Sequence, residues 1–251
     1  MLILLPPSET KRPGGTGAPW RVDGLALPEL GEQRARTIDA LVALAADEDR
    51  AARVLKLSVR QRSDIAANAA LLSAPTMPAV DRYTGVLYDA LDAASLDPSA
   101  RRWLGAHVLI HSAPFGPVSA LDPIPLYRLG ASTSLPGIPP LRRVWADAVG
   151  SALRSRAPGF VLDLRSEAYQ ALGPIPDDVP STYVRVVSEG PDGVVRALNH
   201  FNKHVKGLLV RELAEKRPRV TTLDGLRRWL TGRGHRIEPV GDEWRLSTGT
   251  H

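Results

Sequence analysis

Lys11 lies in a polar, glycine-containing stretch, Ser8-Glu9-Thr10-Lys11-Arg12-Pro13-Gly14-Gly15. Such a loop can hold an anion with backbone N–H groups and one ammonium. The Walker spacing is absent, so this is not a nucleotide P-loop. Late in the chain, Asn202-Lys203-His204-Val205-Lys206 puts Lys203 and Lys206 three residues apart, on one helical face, with Arg211 near the Lys203 side. Three cations on one face make a footprint for phosphate; a solvated charged face, diluted by Glu212 and Glu215, is the alternative. Arg165-Ser166-Glu167-Ala168-Tyr169 follows a short apolar run, and residues just past strand ends line sites in α/β layers. Ser166 either caps the next helix or acts in the site. Glu167 can pair with a lysine or serve as acid or base, and Tyr169 packs in the core or stacks on a base. Arg128, after Tyr127 in a Pro-bounded segment, suits bidentate binding of phosphate or carboxylate, or a structural ion pair.

Other chemistries lack their residues. There is no cysteine, so disulfides, thiolate metal sites and thiol redox sensors are excluded. His107 and His111, and His200 and His204, have helical metal-ligand spacing but no completing carboxylate, and Val108-Leu109-Ile110 reads as strand. No metal or cofactor is expected, and no nucleophile elbow, kinase set or Rossmann fingerprint is present. The net charge of +5 favours anionic partners, although an arginine-rich composition raises charge for no specific reason. The apolar start is only five residues long before Pro6-Pro7, and no stretch approaches a membrane span. A cytoplasmic protein, more readily monomeric than not, is expected.

The elements that must position these residues can be read in outline. Leu2–Leu5, Ala106–Ile110 and Phe160–Leu164 are continuous apolar runs, hence buried strands. Glu32–Leu57, Asp64–Leu72, Leu141–Leu153 (Trp145 on its apolar side), Asn202–Lys216 and Thr222–Leu230 read as helices. Residues 82–91 open with Arg82-Tyr83 and form a further segment, and 113–140, rich in Pro and Gly, read as loop with short pieces of structure. Glu189-Gly190-Pro191-Asp192 signals a hairpin between Tyr183–Ser188 and Gly193–Leu198, and Arg236–Glu238 pairs with Trp244–Leu246 as a terminal hairpin. With 22 Pro and 21 Gly, no repeat and no linker, the economical fold is α+β: a single domain, 1–251, with a central mixed β-sheet flanked by helices and many Pro/Gly-rich connections.

Five segments, in order, together resemble the YaaA peroxide-stress protein family. They are Met1–Lys11, Tyr83–Tyr88, Asp122–Leu129, Leu162–Tyr169 and Phe201–Gly207. The resemblance implies a cytoplasmic protein that helps cells survive hydrogen peroxide. It also implies binding of double-stranded or branched DNA through a positively charged cleft and a helix-hairpin-helix-like element, with no firmly attached reaction. Two departures stand out. Thr10 stands where relatives commonly have Gly, which should stiffen the first loop. In Ser112–Ala120, the hairpin-like segment, Pro114 and Pro117 remove backbone donors and a usual Arg is missing, which argues against phosphate binding by that element.

Two functions follow. In the first, Lys11, Arg128, Arg165, Asn202, Lys203, Lys206 and Arg211 bind DNA phosphates. In the second, an enzyme acts on a small anionic metabolite or nucleotide, Lys11 and Lys206 holding the anion, Glu167 acting as acid or base and Ser166 or Tyr169 giving a proton. A narrow pocket favours the second and an open groove the first. Both require Lys11 and Lys206 to converge.

Overall fold

Leu2–Leu5 are four aliphatic side chains in succession, a pattern only a strand covered on both faces can bury, and they form the central strand β1. The computed structural model describes residues 1–156, 159–189, 195–196, 199–240 and 243–247. Beyond the first loop come α1 (Gly31–Ala45), α2 (Glu48–Val54) and α3 (Asp64–Ala69). The expected single helix over 32–57 breaks at Asp47, whose carboxylate accepts the Arg50 N–H at 2.9 Å and starts α2. Next are β2 (Met77–Pro78), the short helices α4 (Ala79–Arg82) and α5 (Val86–Leu91), and α6 (Pro98–His107). Helix α6 takes up the first two residues of the expected strand 106–110. Its start carries a sequence sign that the apolar run obscures: Asp97 accepts the Ser99 and Ala100 N–H groups, and Pro98 fills the first helical position.

The chain then enters β3 (Val108–Ser112), β4 (Gly116–Ser119), β5 (Pro123–Ile124) and α7 (Leu141–Arg156), which buries Trp145 fully. β6 (Val161–Asp163), α8 (Glu167–Leu172), β7 (Ser181–Glu189) and β8 (Val195–Arg196) follow. The turn expected at 189–192 lies, from Gly190 onward, outside the described residues, but the strands beside it pair antiparallel, Ser188 opposite Arg196. Last come α9 (Asn199–Lys216), α10 (Leu223–Thr231, capped by the Thr222 hydroxyl), β9 (Arg236–Val240) and β10 (Glu243–Ser247), the latter two paired antiparallel as expected.

One eight-stranded sheet has the order β4-β3-β1-β6-β7-β10-β9, with β8 on β7. Strands β3, β1, β6, β7 and β10 are successively parallel; β4, β8 and β9 add antiparallel pairs. The fold is therefore α+β, a mixed sheet flanked by helices. Strand β4 falls inside the 113–140 stretch read as mainly loop. Its Pro117 is tolerated because β4 is the edge strand, with no outer neighbour to receive an N–H.

The connectivity locates a crevice. From β1 the chain crosses to β3 on one side, and it later lays β6 and then β7 on the other. The carboxyl ends of β1 and β6 thus flank a reversal of strand order, where open α/β sheets bind ligands. Buried arginines staple the loops around it. Arg34 donates to the carbonyls of Ala26, Leu27, Phe115 and Pro117, and Arg82 to those of Arg12, Gly14, Pro75 and Ile124. Both are fully buried, so part of the basic excess serves the interior rather than a surface field.

Candidate functional site

The loop after β1 is held to residues 82–84 by a short antiparallel ladder. The Arg12 N–H donates to Arg82 O at 2.8 Å, the Thr84 N–H donates to Thr10 O at 3.2 Å, and Lys11 bridges Tyr83. The Thr10 hydroxyl donates to Thr84 O and bonds Ser8 Oγ at 3.1 Å, so this side chain adds two local ties. Gly85, at φ +94, lies against these hydroxyls; a Cβ there would come within 3.2 Å of Thr10 Oγ1. The Tyr88 hydroxyl donates to Pro6 O at 2.7 Å.

The ammonium of Lys11 is turned back into this frame. Nζ donates to Ser8 O at 3.0 Å and Glu9 O at 3.2 Å and lies 4.3 Å from the centre of the Tyr127 ring. The Tyr127 and Tyr83 hydroxyls are 2.8 Å apart. Burial raises both phenols, and that of Tyr88, well above the usual range, so they stay protonated. Arg128 is fixed through its own backbone, whose N–H and carbonyl both bond the Asn68 side chain. Its guanidinium reaches Glu9 at 3.8 Å and Asp64 at 4.0 Å.

Burial first, then the Arg128 charge, lowers the Lys11 pKa to about 7, with Arg82 lowering it further and Glu9 and Asp64 opposing. The folded chain therefore releases this proton near pH 7, whereas the unfolded chain keeps it until about 10.5. Between those values the unfolded state binds more protons, so this residue makes stability rise with pH; below 7 its full penalty is present. Denaturation of the parent and of Lys11→Met from pH 6 to 10 should show the difference moving in the parent's favour as pH rises. A constant difference would contradict the low value.

Two cavities meet at this loop. One, of about 440 Å³, is lined by Lys11, Arg128, Lys56 and residues 129–133. The other, of about 430 Å³, is lined by Thr10, Thr84–Tyr88, His200 and Lys203. Pro7, Ser8, Glu9, Ser166 and Tyr169 line both. The shared wall thus comes from the ends of β1 and β6, at the reversal of strand order. Ser166 occupies the N-cap position of α8 but makes no side-chain cap bond, so its exposed hydroxyl is available to a ligand. Tyr169 is raised well above an ordinary phenol, by burial and then by Glu9.

The other residues singled out in the sequence are placed differently. Arg165 is fully buried and cannot meet DNA: its guanidinium forks onto Asp163 at 2.9 and 2.8 Å and donates to Tyr169 O, Gly173 O and His111 Nδ1. Lys206 is also buried; Nζ donates to Leu164 O at 2.9 Å and lies 5.6 Å from the Tyr183 ring centre. It supports the end of β6, two residues before Ser166, and lines neither cavity, so it does not join Lys11 in a common pocket as both readings of the sequence required, and the site rests on Lys11 and Arg128 instead. Lys203 alone of the helical cations lines one. Arg211 turns to the far side of α9, donating to Leu91 O, Asp92 O and Ser95 Oγ and pairing with Glu215. The three-cation face is therefore corrected: packing of α9 on α5 and β7 sends the three side chains to three environments. Asn202 lines neither cavity, and its buried Oδ1 has no hydrogen-bond partner. Glu167 pairs with Arg185 at 3.1 Å, outside both linings.

All of residues 112–120 are buried, and the Ser112 hydroxyl accepts the Phe115 N–H while Trp145 Nε1 donates to Ala113 O. This is the β3–β4 hairpin, with no exposed turn for a phosphate. His107 stacks on Trp103, whereas His111 is buried beside Arg165 and held well below the usual range by burial and that charge. Among the described residues, no cluster of His, Asp or Glu could hold a metal, and no helix is long and apolar enough to cross a membrane.

Sequence reasoning gave no site role to Glu9, Tyr83, Tyr127 or Lys56. Tyr127 carried a signal, since it directly precedes the candidate Arg128, whereas Tyr83 reaches Lys11 only through the pairing of distant segments. Lys56 carried none, because it reaches the cavity only through the turn after α2.

A family model described as "Peroxide stress protein YaaA" matches residues 1–239. A UPF0246 protein of Corynebacterium efficiens is 46% identical over 242 residues, 95% of each chain. Another, from Corynebacterium glutamicum, is 45% identical over 218 residues, 85% of each. A third, from Streptomyces coelicolor, is 43% identical over 217 residues, covering 85% of this chain and 82% of its own.

Proposed function

Since the chain belongs to the peroxide stress protein YaaA family, we propose that it acts in the peroxide response by holding a small anionic ligand, with a phosphate or carboxylate group, in the cavities at the ends of β1 and β6. The observation that carries this reading is the concave, cation-lined space at a reversal of strand order. Each cavity falls within the roughly 300–1,000 Å³ of small-molecule sites. Spaces of that size suit a small molecule better than a DNA duplex. Arg128 is the anchor, because its backbone is clamped and its fork faces only distant carboxylates.

Arg128→Ala should weaken inorganic phosphate or a nucleoside monophosphate by roughly 10- to 100-fold, the worth of one charge-assisted bond. Calorimetric titration measures this; equal affinity in parent and variant would remove Arg128, and no phosphate binding by the parent would remove the reading. The net charge of +5 supports a second reading, duplex or branched DNA on the outer surface. Binding that falls steeply with salt and ignores Arg128→Ala would favour it.

A further inference from the structure

We propose that Lys11 is a nucleophilic amine that forms an imine with an anionic aldehyde or ketone bound in the cavity it shares with Arg128. This deepens the small-anion reading and rests on it.

Three features of the geometry carry the proposal. First, Lys11 lines a cavity and has no carboxylate among its hydrogen-bond partners: Nζ is bonded only to two neutral carbonyls, Ser8 O and Glu9 O. A lysine built to pair would face an acid. Here the nearest carboxylate of the loop, Glu9, is drawn toward Arg128 instead. Second, those two carbonyls accept two N–H bonds. On an uncharged amine the remaining tetrahedral position is the lone pair, so the same contacts that hold the nitrogen also orient it. Third, Arg128 lines the same cavity and can fix the anionic end of a ligand, leaving its carbonyl carbon to the amine. The low proton affinity of Lys11 near neutral pH is consistent with this arrangement: the charged groups around it are Arg128 and Arg82 against Glu9 and Asp64, with the protonated Tyr83 and Tyr127 beside them.

The step balances. The lone pair of Nζ attacks the carbonyl carbon, forming the C–N bond and moving the C=O electron pair onto oxygen. Protons pass from nitrogen to that oxygen, by way of solvent or a hydroxyl such as Ser166. The oxygen leaves as water, and the C=N bond remains. No oxidant or reductant is needed. Oxidation of sugars and side chains yields carbonyl groups, which connects this chemistry to peroxide damage.

The chain has five lysines, Lys11, Lys56, Lys203, Lys206 and Lys216, so trapping can be mapped residue by residue. The full chain would be incubated with pyridoxal 5′-phosphate, an anionic aldehyde, reduced with borohydride and analysed by peptide mass spectrometry. Lys11 should be modified before the other four, inorganic phosphate should compete, and the rate should fall as pH drops through about 7. Lys11→Arg should lose the modification at position 11 while labelling of the other four lysines stays as in the parent. Modification of exposed Lys56 with Lys11 untouched, while phosphate still binds through Arg128, would overturn the imine and leave the anion site standing. Absence of any phosphate binding would overturn both.

Discussion

Asp163→Leu should destabilise the fold by about 3–5 kcal/mol, the cost of leaving a buried guanidinium without its counter-charge. Arg165 and Asp163 are almost wholly buried, and their two-point contact is the one fully interior ion pair among the described residues. Arg165→Met should cost a similar amount, because Asp163 would keep only the Arg165 backbone N–H and the Gln170 amide as donors. The decisive measurement is the double variant. If the two act as a pair, denaturant unfolding of Asp163→Leu/Arg165→Met should cost several kcal/mol less than the sum of the single changes. It will not be neutral, since Tyr169 O, Gly173 O and His111 Nδ1 each lose a donor. Simple additivity would show that the pair is not a unit. The consequence reaches the site as well, because Arg165 immediately precedes Ser166 and grips the carbonyl of Tyr169, two residues on the wall common to both cavities.

This pair also shows what was legible in the sequence and what was not. Phe160–Leu164 reads as a buried strand with Arg165 just after it, and Asp163 and Arg165 are opposite charges two residues apart, a spacing that shares one face while the backbone stays extended. That spacing announces an internal ion pair, whereas the position just past a strand end points toward a ligand; the short range of the first prevails. For Lys11 the local signals agree, because a Gly-containing loop directly after a buried strand stays at the end of that strand, where the cavity lies. Helix α9 is the opposite case. Its Lys203 and Lys206 share a face by spacing, yet α9 is covered by α5 and by β7, so its buried stripe takes in Val205, Lys206, Gly207, Leu209 and Val210. A lysine stem can lie in such a stripe when a carbonyl meets its tip, as Leu164 O does here. Nothing in the periodicity of one helix says how many neighbours cover it, and that is why the wheel misplaced Lys206 and Arg211.

Gly207→Ala should lower stability by about 1–3 kcal/mol, and Gly207→Val by more, although alanine ordinarily improves a helix interior by about 0.5–1 kcal/mol over glycine. The sign reverses because of what faces this position. A Cβ on Gly207 would run into Leu87 O, Ala90 Cβ and the Leu91 N–H, so the backbone of α5 lies directly on that of α9. None of the three obstacles is the end of a flexible side chain, and relief requires the two helices to separate. Gly150, in the middle of α7, provides the control: a Cβ there would make only ordinary contacts, 3.5 Å from Pro176 Cγ. Gly150→Ala should therefore be neutral or stabilising while Gly207→Ala destabilises, and thermal unfolding of the two side by side tests the claim; equal effects would refute it. Separation of α5 from α9 would also disturb the site, since Val86, Leu87 and Tyr88 line one cavity and the Tyr88 hydroxyl anchors the loop at Pro6 O. Gly207→Ala should thus weaken phosphate binding without touching any residue that contacts the anion, through the strain it puts on the wall opposite Ser166.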